Sequence, residues 1–242
     1  MRALIISDIH ANLVALETVL ANAPAHDEVW CLGDVVGYGP HPNECVARLC
    51  ALDELTLTGN HDQASIGNVP LVEFRDTARL ALEWTQKQLT PENTAWLAAR
   101  EPIHELPEYD VTLVHGSPRD PIWEYIENPK IAYDNLDQFE TSFCFFGHTH
   151  QPAGYRWDTD ARTMTVFQSL VEPLTLQPLF LLNPGSVGQP RDGDPRAAFA
   201  IYDTDTQLLS PYRIPYDYAQ TQRAMTEAKL PERLIARLAH GV

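Results

Sequence analysis

Basic side chains are scarce in this chain. Lys and Arg number 17 against 33 Asp and Glu, a formal charge of −16 over 242 residues. A nucleic-acid backbone or an anionic bilayer needs a cationic footprint, so this balance excludes broad binding to extended nucleic acid or to an anionic membrane surface. It leaves room for a small phosphate-containing substrate, because a buried metal pair is a local positive charge that outweighs a distant acidic surface. Long apolar runs are missing as well. No stretch approaches the ~18 apolar residues of a membrane span, and the N-terminal run ends at Asp8, too short for a secretory signal. The chain is therefore expected to be soluble and cytoplasmic. Cysteine is sparse, at positions 31, 45, 50 and 144. Cys31 and Cys144 lie inside apolar runs and read as buried thiols. Cys45 and Cys50 lack the second pair that a structural zinc site uses. Repeats, low-complexity tracts and charge blocks are absent and no linker divides the chain, so a single domain over 1–242 is expected.

What is present is a series of short apolar runs, each ending in a cluster of polar residues. Residues 2–7 read as a strand buried on both faces, closed by Asp8. Leu13, Leu16, Val19 and Leu20 have helical spacing over 12–23. Residues 28–32 form a second strand, closed by Gly33-Asp34. A Gly- and Pro-rich loop over 37–42 follows, then a helix around Val46 and Leu49. Residues 54–58 form a third strand, closed by Gly59-Asn60-His61-Asp62. Strand, helix, strand, helix, strand is a βαβαβ unit with a parallel sheet, and ligands of such sheets sit outside the carboxyl ends of the strands. Residues 63–100 break the rhythm with two helices, the second starting at Thr90-Pro91-Glu92, and read as a cap-like helical insertion. A strand over 109–114 ends at His115. A Pro- and aromatic-rich loop over 119–130 and a short helix over 131–140 lead to a strand at 142–146, closed by Gly147-His148-Thr149-His150. Beyond 151, short alternating segments suggest antiparallel strands, and 216–228 and 231–240 read as terminal helices.

The strand-end residues are Asp8, His10, Asp34, Asn60, His61, His115, His148 and His150. They combine carboxylate, imidazole and amide donors without thiolate, a set suited to divalent Mn, Fe, Zn or Ni, with Mn favoured. The donors are too many for one tetrahedral ion and suffice for two if a carboxylate bridges. Asp34 is the candidate bridge. Two ions ~3.5–4 Å apart can clamp a phosphoryl group for in-line attack. Taken singly, each cluster has a bland explanation: Asp8-x-His10 a helix cap, Gly33-Asp34 and Asn60-His61-Asp62 turns, His115 a buried, satisfied imidazole. Together they occupy one strand end after another.

In order and spacing, Asp8-Ile9-His10, Gly33-Asp34, Gly59-Asn60-His61-Asp62, His115 and Gly147-His148-Thr149-His150 resemble the five motifs of the calcineurin-like metallophosphoesterases. Asn183-Pro-Gly-Ser-Val-Gly-Gln-Pro-Arg191 resembles the tail of the small prokaryotic YfcE-type subgroup. The resemblance implies an α/β fold (α+β by some schemes), two mixed β-sheets packed face to face with helices outside, a four-layer sandwich. It implies that Asp8, His10, Asp34 and His150 hold one ion and Asp34, Asn60, His115 and His148 the other. His61 would then protonate the leaving oxygen or polarise the phosphoryl group, with Asp62 holding its imidazole. A metal-bridging hydroxide would attack phosphorus directly, without a phosphoenzyme.

Outside the motifs, Tyr38, His41 and Asn43 lie in the loop after Asp34 and are open to either a substrate or a structural role. Arg119 could grip a phosphate and Trp123 could stack on a base, against a surface salt bridge and a loop anchor. Arg191 is placed to line the site. His26, His104 and His240 read as incidental. The favoured function is a dinuclear-metal phosphoesterase acting on a small ester, a phosphodiester first. Phosphomonoester or dinucleoside polyphosphate hydrolysis on the same fold is the alternative. A protein-interaction scaffold would have no need to retain every ligand and His61, and a metallo-β-lactamase-like hydrolase would show H-x-H-x-D-H, whereas His150 is followed by Gln151-Pro152.

Overall fold

The computed structural model describes residues 1–52 and 55–242. β1 (Arg2–Ile6), α1 (Leu13–Asn22), β2 (Glu28–Cys31), α2 (Pro42–Leu52) and β3 (Leu55–Thr56) form the expected βαβαβ unit. β1 and β2 pair in parallel, as do β2 and β3. The third strand was expected from Glu54, which lies outside the described residues. Helix α1 starts where Asn12 caps it, its Oδ1 accepting from the Ala15 amide at 3.3 Å. The cap is thus Asn12, which leaves Asp8 and His10 free for other work.

Three helices then follow: α3 (Asn60–Ser65), α4 (Asp76–Gln88) and α5 (Pro91–Ala98). Thr90 caps α5 by accepting from the Asn93 amide at 3.2 Å. Leu97 is buried in the same core as α1 and α2, with Trp96 and Leu89 against it. These helices therefore pack on the outer face of the first sheet. Asn43 is absorbed here, its amide bonded to the Gln88 carbonyl at 2.8 Å and its Oδ1 to the Thr90 amide at 3.0 Å. It ties the turn between α4 and α5, the structural side of the two roles left open for it.

The second half runs β4 (Ile103–Leu106), β5 (Val111–Val114), α6 (Pro129–Asp134), β6 (Phe143–Phe146), β7 (Ala153–Asp158), β8 (Thr163–Phe167), β9 (Leu174–Thr175), β10 (Phe180–Asn183), β11 (Ala197–Asp203), β12 (Leu208–Ile214), α7 (Tyr218–Glu227) and α8 (Glu232–Arg237). Two six-stranded mixed sheets result, ordered β3-β2-β1-β11-β12-β9 and β4-β5-β6-β10-β7-β8. The segments after 151 are antiparallel with one exception. β10 lies antiparallel to β7 and parallel to β6, and every residue of it is buried. A continuous apolar run marks such a central strand better than alternation does. Helix α6 begins earlier than expected because Asn128 caps it, with Pro129 in the first turn. β4 went unforeseen because its exposed His104 and Glu105 give it no apolar run.

Period-two side-chain alternation sorts the strands into layers. Ala3 and Ile5 of β1 enter the core between the sheets with Trp30, Leu57, Phe143, Phe145, Phe180 and Leu182. Leu4 and Ile6 face α1 and α2. Cys144 and Phe146 face outward to Ala132 of α6. The layers are helices, sheet, sheet, helices, as the family resemblance implied. Among the described residues no helix is long and apolar enough to cross a membrane. Phe145 is 1% exposed in the inter-sheet core, so Phe145→Ala should cost about 3–5 kcal/mol in urea unfolding. A loss under about 1 kcal/mol would mean that the two sheets do not share this core.

Candidate metal centre

The carboxyl ends of five strands meet at one edge of the sandwich. Asp8 and His10 follow β1, Asp34 follows β2, Asn60 to Asp62 follow β3, His115 follows β5, and His148 and His150 follow β6. Backbone hydrogen bonds stitch these loops together: the Asp8 amide to the Gly33 carbonyl at 3.0 Å, His10 to Asp34 at 2.9 Å, and Gly147 to His115 at 2.9 Å. Asp8, His10, Asp34, His148 and His150 all have φ between 49° and 64°. Left-handed backbone costs a non-glycine residue about 1–2 kcal/mol, and it persists where the surroundings over-determine it. Here it turns side chains from successive residues toward one point. Two glycines are needed for close approach. A Cβ on Gly59 would strike the Asp34 carboxylate and lie 2.6 Å from His115 Cε1, and one on Gly147 would strike Ser7 Oγ.

Donor atoms of Asp8, His10, Asp34 and His150 lie within 4.8 Å of one another, and so do those of Asp34, His115 and His148. Asp34 Oδ2 belongs to both sets, 3.6 Å from His10 Nε2 and 3.5 Å from His115 Nε2. His150 Nε2 is 3.3 Å from Asp8 Oδ1. Each carboxylate has one oxygen held by the backbone: Asp8 Oδ2 accepts from the His148 amide at 3.1 Å, and Asp34 Oδ1 from the His61 amide at 2.9 Å. The other oxygen of each is buried without a partner, as are Asn60 Oδ1, His115 Nε2 and His148 Nε2.

The imidazoles are oriented in the same way. Nδ1 of His10, His115 and His150 faces the carbonyls of Val36, Leu32 and Gln189 at 3.2, 2.8 and 2.6 Å. A carbonyl cannot donate, so these nitrogens carry the proton and Nε2 presents a lone pair. Nε2 of His10 and of His150 then face each other at 3.0 Å. Two lone pairs at that distance repel unless a cation stands beside them. Burial holds His10, His61, His148 and His150 well below the usual imidazole range, with Arg191 adding to it. Burial also raises the Asp8 carboxyl to about 7, against the lowering effect of His115, and raises Asp34, with Asp62 adding to it. Orphaned acceptors, fixed lone pairs and strained carboxylates all fit divalent cations.

Other expected residues are distributed unevenly. Tyr38 is at the centre, its ring 4.6 Å from His10 and 4.3 Å from His61. Arg191 lies 5.8 Å from the Tyr38 ring, with its Nε buried and unpartnered. His61 is buried among His10, Tyr38 and Phe74. Asp62 does not hold the His61 imidazole. Its carboxylate accepts from the amides of Val35, Val36 and Gly59 at 3.2, 2.9 and 3.1 Å, while His61 Nδ1 has no partner. It braces the loops that carry Asp34 and Asn60. Arg119 is not at the centre either. Its guanidinium is paired with Glu124, Nε to Oε2 at 2.8 Å, and with Asp134 at 3.5 Å. Arg119 in turn holds the Glu124 carboxyl down to about 2, with Asn135 and Ser117 adding to it, and its pairing with two carboxylates turns its charge away from a phosphate. Reasoning from sequence missed Phe74 and Tyr125, and it placed Asn183 and Ser186 in the family-like tail without giving either a role. Tyr125 stacks on His148 at 3.7 Å. Asn183 donates to the Gly147 carbonyl at 2.6 Å, and Ser186 to the Asp8 carbonyl at 2.8 Å. Phe74 and Tyr125 lie in loops without periodicity, where no sequence signal marks them.

A pair of adjoining donor sets at strand ends defines a divalent-metal centre of the hydrolytic kind. The description "calcineurin-like phosphoesterase superfamily domain" matches residues 1–207. The crystal structure of a metallophosphoesterase from Sphaerobacter thermophilus is 48% identical, with a TM-score of 0.91 over 100% of this chain and 99% of that one. An uncharacterised protein of Methanocaldococcus jannaschii is 34% identical over 98% of this chain and 97% of its own length. A symmetrical bis(5'-nucleosyl)-tetraphosphatase of Pseudomonas fluorescens is 28% identical over 66% of this chain and 57% of that enzyme. The chain belongs to the calcineurin-like phosphoesterase superfamily, and it is a phosphoester hydrolase.

Two outcomes follow from this geometry. Gly59→Ala should strip bound metal, read by elemental analysis, because its methyl would displace the Asp34 carboxylate. Full metal occupancy in that variant would refute the close packing. The second concerns pH. In the metal-free protein Asp8 keeps its proton up to about 7, whereas an unfolded carboxyl loses it near 3.8. The folded state therefore binds more protons between those values, and this group's contribution to stability falls as pH rises through them. Metal must expel that proton below pH about 7. Added Mn²⁺ should thus raise the melting temperature more at about pH 8 than at about pH 6, each referred to its metal-free baseline. Equal shifts would show that Asp8 does not contact the ion.

Proposed function

We propose that this chain hydrolyses a small phosphate ester, a phosphodiester in preference to a monoester, at a pair of divalent ions, Mn²⁺ favoured. The observation that carries the reading is Asp34 Oδ2, which belongs to both donor sets. Asp8, His10, Asp34 and His150 would hold one ion. Asp34, Asn60, His115 and His148 would hold the other, with the orphaned Asn60 Oδ1 completing the set. Bound ions supply positive charge to the transferring phosphoryl group and acidify a water molecule.

The chain's own residues do the rest. His61 Nδ1 is walled in by Gly37, where a Cβ would sit 2.6 Å from it. Nε2 is therefore the nitrogen that faces substrate and donates to the leaving oxygen. Burial keeps the ring neutral near pH 7, so it acts by a hydrogen bond that strengthens as negative charge builds on that oxygen. Asp62 positions His61 through the backbone. Arg191, with Tyr38 beneath it, offers its guanidinium to a phosphoryl oxygen. Because Arg119 is consumed by Glu124 and Asp134, Arg191 is left to meet the phosphoryl charge beside the ions. That suits a diester with one negative charge better than a monoester with about 1.5–2. The similarity to a symmetrical bis(5'-nucleosyl)-tetraphosphatase favours a second reading, dinucleoside polyphosphate hydrolysis at the same ions.

With Mn²⁺ added, the purified protein should turn over bis-p-nitrophenyl phosphate faster than p-nitrophenyl phosphate. The opposite order would replace the diester reading by a monoesterase, and no turnover of either with any divalent ion would sink both. His61→Ala should lose about 10²–10⁴-fold in kcat while retaining its metal. Activity loss that tracks metal loss would make His61 a ligand. His148→Ala and His150→Ala should weaken different ions, and equal depletion of one ion by both would undo the split assignment.

A further inference from the structure

Three aromatic rings stand at the mouth of the centre without a place in the core. Phe74 follows the short turn Leu71–Glu73, and Trp123 and Tyr125 lie in the loop between β5 and α6. None of them joins the four buried hydrophobic clusters, or the partly buried residues packed against those clusters. Phe74 touches Trp123 and an imidazole of the centre, and Tyr125 touches another imidazole. Phe74 meets His61 edge-on at 5.1 Å and Trp123 at 5.3 Å. Tyr125, 39% exposed, lies flat on His148 at 3.7 Å.

The loop carrying Trp123 and Tyr125 is held firmly. The Gly116 amide donates to the Pro121 carbonyl at 2.8 Å, and the Trp123 amide to Asp120 Oδ1 at 3.2 Å. Glu124, between the two aromatics, is gripped by Ser117 at 2.7 Å, Asn135 at 2.8 Å and Arg119. The ion pair that removes Arg119 from phosphate binding therefore fixes this loop against the centre. Its rings are preorganised, so a planar ligand would stack without first ordering them. Apolar rings held half in water beside a phosphoryl site, rather than in a core, are the features with which proteins hold a base.

We infer that Phe74 and Trp123 beside His61, with Tyr125 on His148, form an aromatic subsite at the centre that takes the nucleobase of a nucleotide ester. The inference rests on the phosphoester reading above and narrows the substrate class from any small ester to one carrying a base. Because Phe74 abuts His61, the base belongs to the group that leaves with the oxygen His61 faces. A single cation at Arg191 then meets the phosphoryl group while stacking holds the remainder, which suits an acidic protein with few cations to place.

The probes are AMP and ribose 5-phosphate, which share the phosphate and the sugar and differ by the base. Their affinities for the Mn²⁺-loaded protein would be measured by calorimetry. AMP should bind tighter by on the order of tenfold, the size of a stacked base. That ratio should fall toward one in Phe74→Ala and in Trp123→Ala, and Trp123→Phe, which keeps a ring and guards against a folding defect, should retain most of it. Equal affinities in the unaltered protein, or a ratio that survives both alanine variants, would overturn the subsite while leaving the metal-centre reading intact. If neither phosphate binds a protein that holds its metal, the phosphoester reading itself fails and the subsite falls with it.

Discussion

The structure depends on cancelling buried charge and lone-pair repulsion at one point. Asp8 and Asp34 are enclosed together with four inward-facing imidazoles. Taking a carboxylate out of water costs several kcal/mol unless something compensates it. The chain compensates half of each group. One oxygen of each carboxylate receives a backbone amide, and the outer nitrogen of His10, His115 and His150 receives a carbonyl. The remaining halves all point inward, where no side chain answers them. Only cations can, and the left-handed turns at Asp8, His10, Asp34, His148 and His150 keep the arrangement from relaxing.

That demand explains why the centre straddles two sheets. Asp8, His10, Asp34 and Asn60 leave strands of the first sheet, while His115, His148 and His150 leave strands of the second. The inter-sheet core of Ile5, Trp30, Phe143 and Phe145 therefore sets the spacing between the donor sets. The segment after β10 locks the two halves together. Asn183 holds the Gly147 loop, Ser186 holds the Asp8 carbonyl, and the Gln189 carbonyl orients His150. The tail that resembles the small prokaryotic members is thus a brace for the loops that carry the two donor sets, and Arg191 at its end lies over the Tyr38 ring.

The layered fold and the donor set were legible because both follow from local rules. Apolar runs of strand length, broken by Asp, Asn, His and Gly, mark buried strands and the loops at their ends, and ligand chemistry admits few residue types. Asp62, Arg119 and β10 were misread for a common reason. Asp62 bonds Val35 and Val36, more than 25 residues away. The competition for Arg119 involves Asp134 and a loop whose shape sequence does not reveal. The direction of β10 depends on its neighbour β6, which precedes it by more than 30 residues.

By itself, the sequence determined which atoms could bind metal and that they would stand at strand ends, since side-chain identity and hydrophobic period are properties of the chain. Tertiary structure alone decided which of those atoms are left unpaired, which guanidinium is paired with carboxylates and which rings face the centre. Each of these is settled by competition among neighbours, and the neighbours come from segments that only the packing of two sheets brings within hydrogen-bonding distance.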